Sequence, residues 1–148
     1  MKKIKTIMAA FVLAGMTMVS CSSDDSGPAA SIEGKWNQIK TVVKINSQSV
    51  PQKYEDNVEG CDKNYIEFVQ GGVYNDVVYF KQGGECQESA ADAGAWTKTE
   101  DVLEIINGGN LSGTYEIVKL SNSDLQIAAK NNDGGITTTT TVYLKKAN

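Results

Sequence analysis

No stretch of this chain holds an apolar pattern for more than a few residues before a turn interrupts it, and the spacing of those turns decides the fold class. Residues 39–45, 65–69, 77–80, 95–98, 102–106, 114–120, 125–129 and 136–145 are short runs rich in β-branched and aromatic side chains. Between them stand Gly71-Gly72, Gly83-Gly84, Asn107-Gly108-Gly109-Asn110 and Asn131-Asn132-Asp133-Gly134-Gly135, residue types that tolerate the positive φ of tight turns. No segment carries an apolar stripe of period 3.6 over three turns, so helix is minor. Eight strands in succession with hairpin-length links predict an all-β, eight-stranded, antiparallel up-and-down barrel. Alternation assigns Leu103 and Ile105, Tyr115 and Ile117, Leu125 and Ile127, and Val142 and Leu144 to the inward face. A bulge in any strand would exchange its faces beyond that point. The five threonines 137–141 continue into Val142-Tyr143-Leu144, and closure into a barrel would shield so pairing-prone a strand.

The N-terminal residues read differently. Lys2, Lys3 and Lys5 precede an apolar run over residues 7–19, which at roughly 20 Å as a helix is too short for a ~30 Å hydrocarbon core. Residues 1–20 are therefore expected to be a cleaved signal peptide. Met18-Val19-Ser20-Cys21 resembles the lipobox of bacterial lipoproteins, with Met18 where that pattern usually has Leu. The resemblance implies that Cys21 carries a thioether-linked diacylglycerol and becomes the mature N-terminus. At about 0.8 kcal/mol for each buried methylene, two or three acyl chains would anchor the chain firmly. Residues 21–32 are expected to form a lipidated, flexible tether, and residues 33–148 the folded domain. The Ser- and Asp-rich start of the tether resembles the export signal of surface lipoproteins of Bacteroidetes, implying the outer face of the outer membrane; a periplasm-facing attachment is the alternative.

With Cys21 assigned to processing, Cys61 and Cys86 remain, and two cysteines in a small exported domain are expected to pair. Catalytic chemistry finds little here. The chain has no His, so Ser-His and Cys-His nucleophiles and the usual catalytic zinc site are unavailable. The acids Glu55, Asp56, Glu59, Asp62, Glu85 and Glu88 fall in turns, where a solvated charge is the default. Neither Asn/Gly-rich turn has the twelve-residue ligand alternation of a calcium loop. No catalytic residue, metal site or cofactor is expected. Without the signal, 11 lysines face 18 carboxylates, a formal charge of −7, and there is no Arg, which argues against nucleic-acid partners.

Several short features, in order, resemble the lipocalin-like domains of small bacterial lipoproteins. They are Gly34-Lys35-Trp36, Cys61 before Tyr65-Ile66-Glu67-Phe68, Cys86 before Gly94-Ala95-Trp96, Leu103-Glu104-Ile105, the run Tyr115 to Leu120, Leu125-Gln126-Ile127 and Val142-Tyr143-Leu144-Lys145-Lys146. The resemblance covers about residues 32–148. It implies that Gly34 and Trp36 pack the closed base of the barrel, a place where lipocalins often set an Arg over the indole. Here Lys145 or Lys146 would have to supply that cation. It also implies a small hydrophobic ligand inside the barrel, lined by Phe68, Phe80, Trp96, Leu103, Ile105, Tyr115 and Ile117. An eight-stranded barrel is equally able to be filled by its own side chains. The alternative is therefore a surface structural or interaction module, using an exposed patch with Tyr54, Tyr74 or Tyr79 to bind an envelope protein or polysaccharide.

Overall fold

The computed structural model describes residues 29–89 and 92–147; the signal peptide, Cys21 and most of the tether lie outside the described residues. The strands are β1 (Gly34–Ile45), β2 (Gln48–Lys53), β3 (Tyr65–Val69), β4 (Val73–Val77), β5 (Tyr79–Gln82), β6 (Glu85–Glu88), β7 (Asp92–Thr99), β8 (Val102–Ile106), β9 (Gly113–Leu120), β10 (Asp124–Asp133) and β11 (Ile136–Lys146). One 3-10 turn, Gly109–Leu111, precedes β9. Hydrogen bonding runs β11-β10-β9-β8-β7-β4-β3-β1-β2, and β11 also pairs with β1. That second pairing closes β1, β3, β4, β7, β8, β9, β10 and β11 into an eight-stranded antiparallel up-and-down barrel. Strand β2 is appended to β1, and β5–β6 is a hairpin paired only with itself.

The inward alternation read from the sequence holds for all four pairs: Leu103, Ile105, Tyr115, Ile117, Leu125, Ile127, Val142 and Leu144 are all buried in one cluster. Two bulges adjust the wall. Ile39 is the extra residue where Gln38 pairs with Leu144 and Lys40 with Tyr143, so inward positions change parity beyond it. Val118 is the second, between Ile117 opposite Ile127 and Lys119 opposite Gln126. Beyond the barrel, the upper halves of β10, β11 and β1 continue with β2 as a four-stranded ribbon. Pro51 is tolerated there because β2 pairs only with β1 and its other side is an edge.

Three expectations need correction. Residues 77–80 are not a barrel strand: β4 ends at Val77, and Tyr79 starts the separate hairpin. Phe80 therefore does not line the interior; it is 40% exposed, because β5 has no barrel neighbour to put it inside. Tyr74, placed in a candidate surface patch, is fully buried, since it sits opposite Phe68 on the inward face of β4. Ile32, just before β1, is buried and joins the core.

The base of the barrel is sealed by Trp36. Its indole N–H donates to the Ile32 carbonyl at 2.7 Å, and the Lys146 ammonium lies 4.3 Å from the ring centroid. Lys146 also donates to the Glu33 carbonyl, fixing the chain's entry into β1. Burial depresses the Lys146 pKa, with the Glu33 carboxylate opposing the shift. Gly34 is required at this corner: its φ is +104°, and a Cβ there would meet the Lys146 ammonium at 2.9 Å. The C-terminal end is stitched alongside, with Ala147 N–H donating to the Lys35 carbonyl at 2.9 Å.

Candidate functional site

The interior divides into a filled lower part and an open mouth. Trp36, Phe68, Tyr74, Leu103 and Leu125 are wholly enclosed, and Phe68 meets Tyr74 and Trp96 edge-on at centroid distances of 5.6 and 5.4 Å. The Trp96 indole N–H donates to the Val69 carbonyl at 3.0 Å, which fixes that ring against the turn into β4. Of the expected lining residues, Phe68, Leu103, Ile105, Tyr115 and Ile117 are buried and Trp96 packs against them. The structure brings these six together as a packed core.

Above this core lies a cavity of about 260 Å³, bounded by Gln38, Tyr54, Asp56, Asn64, Tyr65, Ile66, Asp76, Val78, Asn110 and Leu111. Ile66 and Leu111 are the apolar floor, Leu111 coming from the 3-10 turn and buried against the core. The walls are polar. Asn64, the one buried polar side chain among the described residues, organises them. Its amide donates to the Tyr54 hydroxyl at 3.1 Å and to the Asp56 carbonyl at 2.9 Å. Its side-chain oxygen accepts from Tyr79 N–H at 2.8 Å, its own N–H donates to Asn57 Oδ1, and its carbonyl accepts from the Asn37 amide at 3.0 Å. A buried amide satisfied on every side gives the loop between β2 and β3 a single conformation across the mouth.

Burial raises the Tyr54 pKa, with Asp56 and Asp76 adding to the rise and the Asn64 hydrogen bond opposing it, so the phenol stays protonated. Burial likewise pushes up the hydroxyls of Tyr74 and Tyr115. The Tyr74 hydroxyl, deep in the core, has no hydrogen-bond partner among the described residues. Sequence reasoning missed Asn64 and Asp76 altogether. A lone Asn before a strand looks like any turn residue, and Val73-Tyr74-Asn75-Asp76-Val77 carries too little apolar alternation to read as a wall strand.

Cys61 and Cys86 are joined, with Cα atoms 5.6 Å apart. The bridge ties the mouth loop to the external hairpin, and Ser89 exchanges two hydrogen bonds with Val78 at the hairpin's foot. The Asn/Gly-rich segments act as turns, with Asn107 at φ 55°, Gly134 at 57° and Gly135 at 83°.

Residues 32–127 match the lipocalin-like domain family. Among solved structures, the complex of bovine odorant-binding protein with undecanal is similar at 19% identity, over 82% of this chain and 75% of that one, with a TM-score of 0.41. The bovine lipocalin allergen Bos d 2 is similar at 22% identity, over 78% and 73%, with a TM-score of 0.38. Aphrodisin, a sex pheromone from female hamster, is similar at 17% identity, over 80% and 76%, with a TM-score of 0.36. A search of curated proteins gave no match. The family match spans well over half of a barrel closed by β1 and β11 on a Trp36 base, and the chain belongs to the lipocalin-like domain family.

Proposed function

We propose that the protein is a non-catalytic binding module, held at the cell envelope by lipid on Cys21, that takes a small ligand with an apolar body in the mouth of its barrel. The observation that carries the reading is the cavity of about 260 Å³ seated on Ile66 and Leu111 above a packed base. Its size lies below the ~300–1,000 Å³ typical of pockets for drug-sized ligands, so its occupant is small. An apolar floor receives the body of such a ligand, while Tyr54, Gln38 and Asn110 face its polar end. The lipobox-like sequence at Cys21 supports the anchor, and the acidic tether supports exposure on the outer membrane.

Native mass spectrometry of the full-length protein, extracted in detergent from its own host, tests the ligand. A retained small molecule is expected, and Leu111→Trp, which fills the floor, should release it. An empty barrel in the wild type, indistinguishable from that variant, overturns the reading. Metabolic labelling with an alkyne fatty acid tests the anchor: label should be lost in Cys21→Ala.

The enclosure of Trp36, Phe68 and Tyr74 favours a second reading, in which the barrel is a rigid support and an envelope protein or polysaccharide binds its exterior. Absence of any retained small molecule, together with capture by surface polymer, would select it.

A further inference from the structure

Outside the barrel, a groove of about 430 Å³ runs between the outer wall of β1 and β3 and the β5–β6 hairpin. Tyr65, on the wall, and Tyr79, on the hairpin, both line it, with ring centroids 6.4 Å apart and planes at 48°. Their hydroxyls donate to the two oxygens of one carboxylate, Glu88, at 3.2 and 3.3 Å. Glu88 thereby ties the two hydroxyls to one point. The hairpin cannot drift, because Cys61–Cys86 and the Tyr79 N–H to Asn64 bond tie it down.

We propose that this groove is a binding site for a neutral saccharide, sharing Tyr65 with the wall of the mouth cavity but opening on the outside of the barrel, so that it does not depend on whether that cavity is occupied. The lining excludes the other ligand classes by its chemistry. Ala147 is the one aliphatic side chain in it, so a wholly apolar ligand would desolvate the charges of Lys35, Lys63 and Asp62 with nothing to offset the cost. Lys35 and Lys63 stand against Asp62 and Glu88, so no net charge selects a strongly ionic ligand. A pyranose presents a face of polarised C–H groups and a rim of hydroxyls. The negative faces of two tyrosines suit the first, and the mixed donors and acceptors of the rim suit the second. The Tyr65 ring already holds the Lys35 ammonium at 4.1 Å from its centroid, so that face accepts a polarised, hydrogen-bearing group. Lys35 is exposed on a long side chain and can swing aside to bond a sugar hydroxyl.

The test is affinity electrophoresis of the full-length protein in native gels containing, in turn, a soluble neutral glucan, a mannan, a galactomannan and, as the charged comparison, a polyanionic glycan. Retardation by at least one neutral polymer is expected. Tyr79→Ala should weaken it about tenfold, the upper size of an aromatic contact. Tyr79→Phe, which keeps the ring and loses only the bond to Glu88, should stay within about threefold of wild type. Leu111→Trp in the mouth should leave retardation unchanged, so failure of the mouth reading and of this one are separable. No retardation by any neutral polymer, retardation by the polyanion alone, or equal binding by folded Tyr79→Ala and wild type would each overturn the proposal.

Discussion

Removing the disulfide gives the most direct quantitative test of how this barrel is held together. The bridge closes a loop of 25 residues, Cys61 to Cys86, that contains β3, β4 and β5. Two of those strands are barrel wall, so the barrel cannot unfold without releasing the loop. In the chain-entropy account, a closed loop of that length restricts the unfolded chain by about 3.5 kcal/mol at 25 °C. The folded state loses little when the bridge is cut, because Asn64 and the Glu88 pair hold loop and hairpin independently. The Cys61→Ser, Cys86→Ser double variant should therefore lose about 2–3.5 kcal/mol. With an m-value of about 1.5 kcal/mol/M in urea, the midpoint should fall by roughly 2 M, with m rising slightly as the unfolded chain expands. The assay is equilibrium urea unfolding followed by both far-UV circular dichroism and tryptophan fluorescence, the latter reporting on Trp36 in the core and Trp96 packed against it. A shift below about 0.5 M would refute the reasoning. So would a separate early transition that leaves the tryptophan signal unmoved, because the bridge would then hold the hairpin alone.

Three further outcomes follow from the packing and charges. Gly94→Ala should destabilise by about 1–3 kcal/mol in the same urea assay, because a Cβ there would collide with the Ile106 carbonyl oxygen and backbone cannot give way as a side chain can; an unchanged midpoint would contradict the close approach of β7 and β8. Tyr74→Phe removes a buried hydroxyl that lacks a partner among the described residues, and should leave stability unchanged or raise it by up to about 1 kcal/mol; a loss larger than that would reveal a partner. Lys145, 2.6 Å away, and the Ser123 hydroxyl hold the Asp124 pKa down from 3.8 to about 2. Its contribution is present above pH 3.8 and disappears as pH falls to 2, so Asp124→Asn should flatten that part of the acid limb of urea midpoints measured from pH 2 to 6, and an unchanged limb would count against the pairing.

Much of the wall was legible in the sequence wherever a strand alternates cleanly against a single core. Leu103-Glu104-Ile105 and Tyr115-Glu116-Ile117 place charge outside and bulk inside with no competing pattern. The base packing of Trp36 came from the resemblance of Gly34-Lys35-Trp36 to lipocalins, which left Lys145 and Lys146 both open as the cation; the structure sets Lys146 over the ring. The fourth barrel strand was not legible. Residues 77–80 look more strand-like than Val73–Val77, yet Val78 marks the point where the chain leaves the wall, and only the pairing of β4 with both β3 and β7 reveals which segment is wall. Aromatic residues then moved in opposite directions: Tyr74 inward, Phe80 outward. The mouth was invisible for another reason. Asn64 acts through five hydrogen bonds to groups up to 27 residues away, and no local pattern records them. The Tyr65 and Tyr79 groove depends likewise on a hairpin folded back by a disulfide.

The sealed base also settles how the molecule answers to pulling. The chain enters at Ile32 and Gly34 beside Lys146, so a tether attached at the N-terminus grips the barrel at its closed foot, and the mouth faces away from the point of attachment. Tension between such a tether and something held at the mouth acts along β1. That strand is paired with β11 from Trp36 opposite Lys146 to Ile45 opposite Thr138, interrupted at the Ile39 bulge. Force in that direction shears the whole ladder at once, where a pull across the strands would open it one pair at a time. A strand seated in this way resists rupture through its slow unfolding rate and does not peel. A drag applied at the mouth would meet that seam lengthwise.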